Sequence, residues 1–363
     1  MIDFEKGIVN RGSWSRLRSV MRGAAEGKPL KVGFLGGSIT QGSLASTPET
    51  CYAWRVFSWW RRHYPQAEYI NAGIGGTTSQ FGAARVEDDL LCFHPNVIFV
   101  EFSVNDDNNA HFRETYEGLI RRILGSGAAV VLIHNVMYDT MASAEDIHLE
   151  VGRHYDLPCV SMKSTIYPEV AAGRIPNRQI TPDDLHPNDE GHALVASVIT
   201  FFLDQVFASN AQETERPIPA PLTANQYETS HRYQNHNSHP ICRGFEADRT
   251  PREHITQMFR HGYTAWKTGD SIEFTVEGTG IAVQYRKSVR KPAPIARVVV
   301  DNCEDTAVIL DANFQEDWGD CLYIDTVLEH GDKKMHKITV TIIESHDDDV
   351  VPFYLVSVIG SME

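Results

Sequence analysis

Near residue 207 the apolar period of the chain changes, and with it the kind of sheet the chain can build. Before that point, apolar runs at 31–36, 68–72, 96–102, 128–134 and 157–162 alternate with amphipathic stretches. Val97-Ile98-Phe99-Val100 is continuously apolar, as a parallel strand covered on both faces requires. Tyr116, Leu119, Ile120, Ile123 and Leu124 repeat at helical spacing, with Glu117 and Arg121 set for an i,i+4 pair on the outer side and Gly125-Ser126-Gly127 as the stop. A last helix begins near Asn188, carries Asp189 and Glu190 in its first turn, and buries a stripe of Val195, Val198, Ile199, Phe202 and Val206. This pattern predicts an α/β fold with a flavodoxin-like, doubly wound parallel sheet.

Beyond residue 228 the period falls to two. Ile272-Phe274-Val276, Ile281-Val283-Tyr285 and Ile338-Val340-Ile342 alternate with polar residues, and further strands are expected at 297–301, 307–311, 321–327 and 353–358. An antiparallel β-sandwich of jelly-roll type follows. Pro217, Pro219 and Pro221 mark a semi-rigid linker between the two patterns. The expected division is therefore 1–207, a linker at 208–228, and 229–363, each end long enough to bury its own core in a chain of 363 residues.

The formal net charge of −15 argues against nucleic acid or an anionic membrane as partner, because phosphates would be repelled over the whole surface. A neutral substrate fits better. Residues 1–28 are mixed and charged, so no signal peptide is read and a cytoplasmic location is expected; no membrane-spanning window is expected either. Cys51, Cys92, Cys159, Cys242, Cys303 and Cys321 lack C-x-x-C spacing and are expected mostly as small buried hydrophobes. No metal or other cofactor is expected; the acidic run 347–349 reads as a solvated turn, with calcium as the alternative. Composition leaves the oligomeric state open.

Four separated blocks carry chemistry. The first strand runs into Gly36-Gly37-Ser38, which either exposes a hydroxyl at the carboxyl edge of the sheet or is an ordinary strand-to-helix turn. The second strand ends in Asn71-Ala72-Gly73-Ile74-Gly75-Gly76-Thr77-Thr78, rich enough in glycine for a backbone N–H to approach a bound group. The third is followed by Ser103-Val104-Asn105-Asp106, which brings a side-chain amide to the same edge, and the fourth block is Asp183-Asp184-Leu185-His186. Ser38 with a distant Asp-x-x-His pair supplies a nucleophile, a base and a carboxylate to orient it. Asp184 competes with Asp183 for the last role. His192 reads as a packed or capping histidine; a metal set of Asp183, His186 and His192 has no Cys/His cluster behind it. Glu101, Asp106 and Asp107 read as hydrogen-bonded strand-end and loop residues, Trp54, Phe57 and Trp60 as core, and Trp59 as a wall of the site.

Over residues 30 to 206 these blocks resemble the SGNH hydrolases, a branch of the GDSL esterases and lipases. The resemblance implies that Ser38 is the nucleophile, His186 the base and Asp183 its orienter. It also implies that the N–H groups of Ser38 and Gly76 and the side chain of Asn105 bind the oxyanion. Two positions depart from the family pattern: Gly37 stands where many relatives have aspartate, and Ser103 where a glycine is usual. The two-domain layout further resembles bacterial carbohydrate O-acetylesterases whose second domain is carbohydrate-binding-like. That implies an acetylated, mannan-type oligosaccharide as substrate and help from the β domain in holding it. Trp266 and Trp318 are then the candidate sugar platforms, with burial in the core as the alternative. A lipid esterase or thioesterase, or an acyltransferase using the same three residues, are the other readings.

Overall fold

The computed structural model describes residues 2–210 and 214–363, and two compact units separate at Asn225. In chain order the first unit contains β1 (Ile8–Asn10), α1 (Ser15–Ala25), β2 (Leu30–Gly36), α2 (Ser38–Gln41), α3 (Tyr52–His63), β3 (Ala67–Gly73), α4 (Ser79–Asp89), β4 (Val97–Glu101) and α5 (Ala110–Gly125). It continues with β5 (Ala129–His134), α6 (Glu145–His154), β6 (Cys159–Ser161), α7 (Ile166–Ala171), α8 (Asn177–Ile180) and α9 (Asp189–Ala208).

The sheet order is β1-β6-β5-β4-β2-β3, with β3, β2, β4, β5 and β6 parallel and β1 antiparallel at the edge. The parallel part is the flavodoxin-like winding that the alternating pattern predicts, and its carboxyl ends carry the loops after Gly36, Gly73 and Glu101. β4 is buried along its whole length, as its continuous apolar run requires. α9 is long and apolar enough to cross a membrane, contrary to the reading of the bare sequence, yet Val195, Val198, Ile199, Phe202 and Val206 are buried in the core of this unit. Its N-cap is Asn188, whose side chain accepts the Glu190 and Gly191 N–H groups. On α3, Phe57 and Trp60 are buried. Trp59 is not a wall of the site: it is 3 % exposed, its indole N–H donates to Asp204 Oδ1 (2.7 Å), and it packs edge-on against Phe207.

Of the linker expected over 208–228, residues 211–213 lie outside the described residues and Ser209 follows directly on α9. Residues 214–223 are strapped to the first unit. Arg121 Nη1 donates to the Pro219 carbonyl (2.9 Å), and Glu117 accepts the Thr223 N–H (2.7 Å) together with the Leu222 N–H and the Thr223 and Tyr155 hydroxyls. Glu117 and Arg121, spaced for a pair on the outer side of α5, both bind the strap. The strap covers that face of α5.

The second unit contains β7 (Thr229–Tyr233), β8 (Ile241–Arg243), β9 (Glu246–Ala247), β10 (Tyr263–Ala265), β11 (Ser271–Gly278), β12 (Gly280–Lys287), β13 (Ile295–Val300), β14 (Val308–Asp311), β15 (Cys321–Leu328), β16 (Lys334–Glu344) and β17 (Phe353–Met362). They form two antiparallel sheets, β15-β12-β17-β10-β9 with β7 on β17, and β14-β13-β16-β11-β8. Alternate residues such as Ile272, Phe274 and Val276 from one sheet and Ile281, Val283 and Tyr285 from the other share one core, which is what a period of two predicts. The cysteines depart from expectation: Cys51 and Cys159 are buried, but Cys92 in a 3-10 turn, Cys242 on the edge strand β8 and Cys303 in a loop are exposed.

Candidate active site

β2 ends at Gly36, and Ser38 is the first residue of α2, so its N–H has no partner one turn earlier and points out of a helix start. The elbow is pinned from three sides. The Gly36 carbonyl accepts the Ile74 N–H (3.0 Å) and Arg85 Nη2 (3.2 Å), while Asn71 Nδ2 donates to the Thr40 carbonyl (2.8 Å). The side chain of Ser38 is therefore fixed relative to the loop after β3. Gly76 lies in that loop with φ +66°, a conformation glycine adopts at little cost, and the preceding Gly75 N–H donates to Gln41 Oε1 (2.6 Å).

The loop between α8 and α9 brings the distant pair to the serine. Ser38 Oγ lies 2.8 Å from His186 Nε2, and His186 Nδ1 lies 2.6 Å from Asp183 Oδ2. With a carboxylate at Nδ1, that nitrogen carries the proton, and the serine hydroxyl donates to the bare Nε2. The Asp-x-x-His turn closes on itself: Asp183 Oδ1 accepts the N–H groups of His186 (2.7 Å) and Leu185 (3.1 Å). Burial pushes the Asp183 carboxyl up, but the hydrogen bonds from the His186 ring and from the His186 and Leu185 N–H groups outweigh it and hold the carboxyl below its ordinary value. Asp184, the alternative orienter, has φ +67° and turns its carboxylate to Asn177 and to Arg178 Nη2 (2.6 Å). His192 is buried and committed to structure, its Nδ1 accepting the Tyr52 N–H (3.2 Å) and its Nε2 donating to the Ser43 carbonyl (3.1 Å). It joins neither Asp183 nor His186 in a metal set, and no group of His, Cys, Asp or Glu that could hold a metal occurs among the described residues.

Asn105 follows β4 in a tight turn in which the Asn105 and Asp106 N–H groups both donate to the Phe102 carbonyl (3.0 and 2.9 Å). Its Oδ1 is buried, and a Cβ built on Gly37 would lie 2.2 Å from that oxygen. The amide thus fills the space that a side chain at 37 would take, leaving its Nδ2 edge as the donor side. The Ser103 hydroxyl accepts the Asn135 N–H (2.7 Å) and lies 3.0 Å from Glu101 Oε1, bridging the ends of β4 and β5. Burial pushes the Glu101 carboxyl up to about 7, against the pull of the Ser103 hydroxyl and N–H.

The structure brings Ser38, Asp183 and His186 of the sequence-predicted set into contact and sets Gly76 and Asn105 on loops at the same sheet edge. Sequence reasoning misses Arg85, Gln41 and the supporting role of Asn71, which carry no motif of their own. In the second unit, Trp266 and Trp318 are 47 % and 58 % exposed, so neither belongs to the core; the Trp318 indole N–H donates to Glu316 Oε2 (2.5 Å), and its ring meets Phe314 edge-on.

Residues 34–194 match the model of the GDSL-like lipase/acylhydrolase family. Among curated proteins none matches the chain. Over its full length the chain is similar to the crystal structure of a two-domain esterase active on acetylated mannans: identity is 58 %, coverage is 100 % of this chain and 99 % of that one, and the TM-score is 0.98. The structure of such an esterase co-crystallised with mannopentaose matches with the same identity and coverage and a TM-score of 0.97. A serine, histidine and aspartate in hydrogen-bond series on a flavodoxin-like sheet, the family match over that sheet, and full-length similarity to a two-domain esterase give one conclusion: the chain belongs to the GDSL-like lipase/acylhydrolase family, the SGNH hydrolases.

Proposed function

We propose that this protein is a serine esterase that removes O-acetyl groups from mannan-type oligosaccharides. Ser38 is its nucleophile, His186 its general base and acid, and Asp183 the carboxylate that orients His186. The observation that carries this reading is the unbroken series Ser38 Oγ, His186 Nε2 (2.8 Å), His186 Nδ1, Asp183 Oδ2 (2.6 Å). Full-length similarity to an esterase active on acetylated mannans supports the substrate class.

The chemistry follows from the geometry. Ser38 Oγ passes its proton to His186 Nε2 and bonds to the acetyl carbonyl carbon; Asp183 stabilises the imidazolium that forms. The oxygen left negative is met by the N–H groups of Ser38 and Gly76 and by Asn105 Nδ2. His186 returns the proton to the sugar oxygen as the C–O bond breaks, leaving acetyl-Ser38. A water then gives its proton to His186 and attacks the acetyl carbon, and the departing Ser38 Oγ recovers that proton as acetate is released.

The second unit is proposed to bind carbohydrate through exposed aromatic side chains, and the exposure of Trp318 and Trp266 supports this. Retardation of Trp318→Ala in mannan affinity gels measures it. The main test is acetate release from acetylated mannan, xylan and pectin oligosaccharides. Wild type is expected to favour mannan, and Ser38→Ala to lose about 10³-fold or more in kcat. Absence of serine-dependent release from all three substrates overturns the reading.

A further inference from the structure

Two of the proposed oxyanion donors come from different loops, Gly76 after β3 and Asn105 after β4, and something must fix the distance between them. Asp106, next to Asn105, is 6 % exposed, and its Oδ1 accepts the Ser79 N–H (2.8 Å). Ser79 is the first residue of α4, and the helix's own N-cap, Thr78, supplies no side-chain acceptor. The carboxyl of Asp106 therefore caps α4 in place of a local residue, and in doing so ties the Asn105 turn to the helix that follows Gly76. The other oxygen, Oδ2, lies 3.0 Å from Nε2 of His148 on α6. His148 is fully buried, and its ring stacks on Tyr116 with centroids 3.6 Å apart and planes at 10°.

We propose that His148 is a positioning residue: through Asp106 it clamps the Asn105 turn onto the start of α4 and so sets the spacing of the Gly76 and Asn105 donors. The proposal rests on reading those two groups as oxyanion donors. Burial pushes the His148 imidazole down to about 3, so the ring is neutral, and burial pushes the Asp106 carboxyl up to about 7 against the Ser79 hydrogen bonds. Whether Asp106 is ionised or protonated, one proton lies between Oδ2 and Nε2. The clamp survives either state.

His148→Leu removes the ring nitrogen that bonds Asp106, whereas His148→Gln returns a side-chain amide, which can donate or accept, near the position of Nε2. With the full chain and p-nitrophenyl acetate, His148→Leu is expected to lose about 10- to 100-fold in kcat with KM within about twofold, and His148→Gln to recover most of the loss. Affinity for a boronic acid that forms a tetrahedral adduct on Ser38 should weaken in parallel with kcat. A second pair tests the other end of the clamp and serves if His148→Leu fails to fold. Ser79→Pro deletes both the N–H, at a first helical position that tolerates proline, and the hydroxyl, whereas Ser79→Ala keeps the N–H, so the former should lose clearly more kcat. A folded His148→Leu with wild-type kcat or unchanged boronate affinity overturns the proposal. So does equal loss in the leucine and glutamine variants, or a loss in Ser79→Pro no greater than in Ser79→Ala. Asn105→Ala separates the levels: if it leaves kcat and boronate affinity intact, the oxyanion reading itself fails.

Discussion

Gly37 sits between the strand that delivers the nucleophile and the amide proposed to meet the oxyanion, and it has no room for a side chain. A methyl group there would stand 2.2 Å from Asn105 Oδ1, so Gly37→Ala must displace the amide. Losing one preorganised donor raises the barrier by roughly 2.7–4 kcal/mol, so kcat of Gly37→Ala is expected to fall about 10²- to 10³-fold with little change in melting temperature. Kinetics on p-nitrophenyl acetate beside a thermal melt check this; undiminished kcat would show that the amide relocates without consequence. At this scale the sequence is informative where chemistry demands a residue type at a fixed local spacing. Asp183 and His186 are readable because a three-residue turn closes both ends of one imidazole–carboxylate bond. Arg85 and His148 are unreadable because each looks like an ordinary polar helix residue, and only packing buries them beside Gly36 and Asp106.

Element by element, the long apolar runs declare themselves and the short ones do not. β2 to β6 fall close to their expected positions, while β1, β8, β9 and β10 are too short for a periodic signal. They exist because a neighbouring strand offers a ladder, as β17 does for β10 and β6 does for β1. The strap over α5 is likewise a tertiary feature. Burial pushes the Glu117 carboxyl up, yet hydrogen bonds from Thr223, Tyr155 and Leu222 outweigh it and hold the carboxyl below its ordinary value. Glu117→Gln places an amide N–H among those donors. With each bond to a charged acceptor contributing about 1.5–3 kcal/mol, the variant should lose on that order of stability and expose residues 214–223 to protease. Urea denaturation and limited proteolysis read both effects, and wild-type values in both would show that the strap is held elsewhere.

For the molecule as a whole, buried titratable groups pull the stability curve in opposite directions. Burial pushes the His192 imidazole down to about 4, while an unfolded histidine titrates near 6.5. The unfolded chain thus takes up the proton first, so this contribution is complete above about pH 6.5 and is lost as pH falls toward about 4. Glu101 and Asp106, raised to about 7, have the opposite sign: the folded chain holds protons that the unfolded chain has released, and stability declines as pH rises through that range. His192→Gln removes one term alone. Between pH 7 and pH 5 it should lose about 1.5–2 kcal/mol less stability than wild type, by denaturant titration at both pH values. Equal losses would show that the His192 imidazole titrates normally in the folded chain.

The sequence by itself determined the two fold classes, their order along the chain and the candidate serine and Asp-x-x-His block, because apolar period and local spacing are properties of neighbouring residues. Tertiary structure decided which aspartate faces His186, what positions 37 and 103 pack and bond against, and which buried groups hold the loops in place. Those outcomes depend on distances between residues far apart in the chain, and such distances exist only once the sheet has formed.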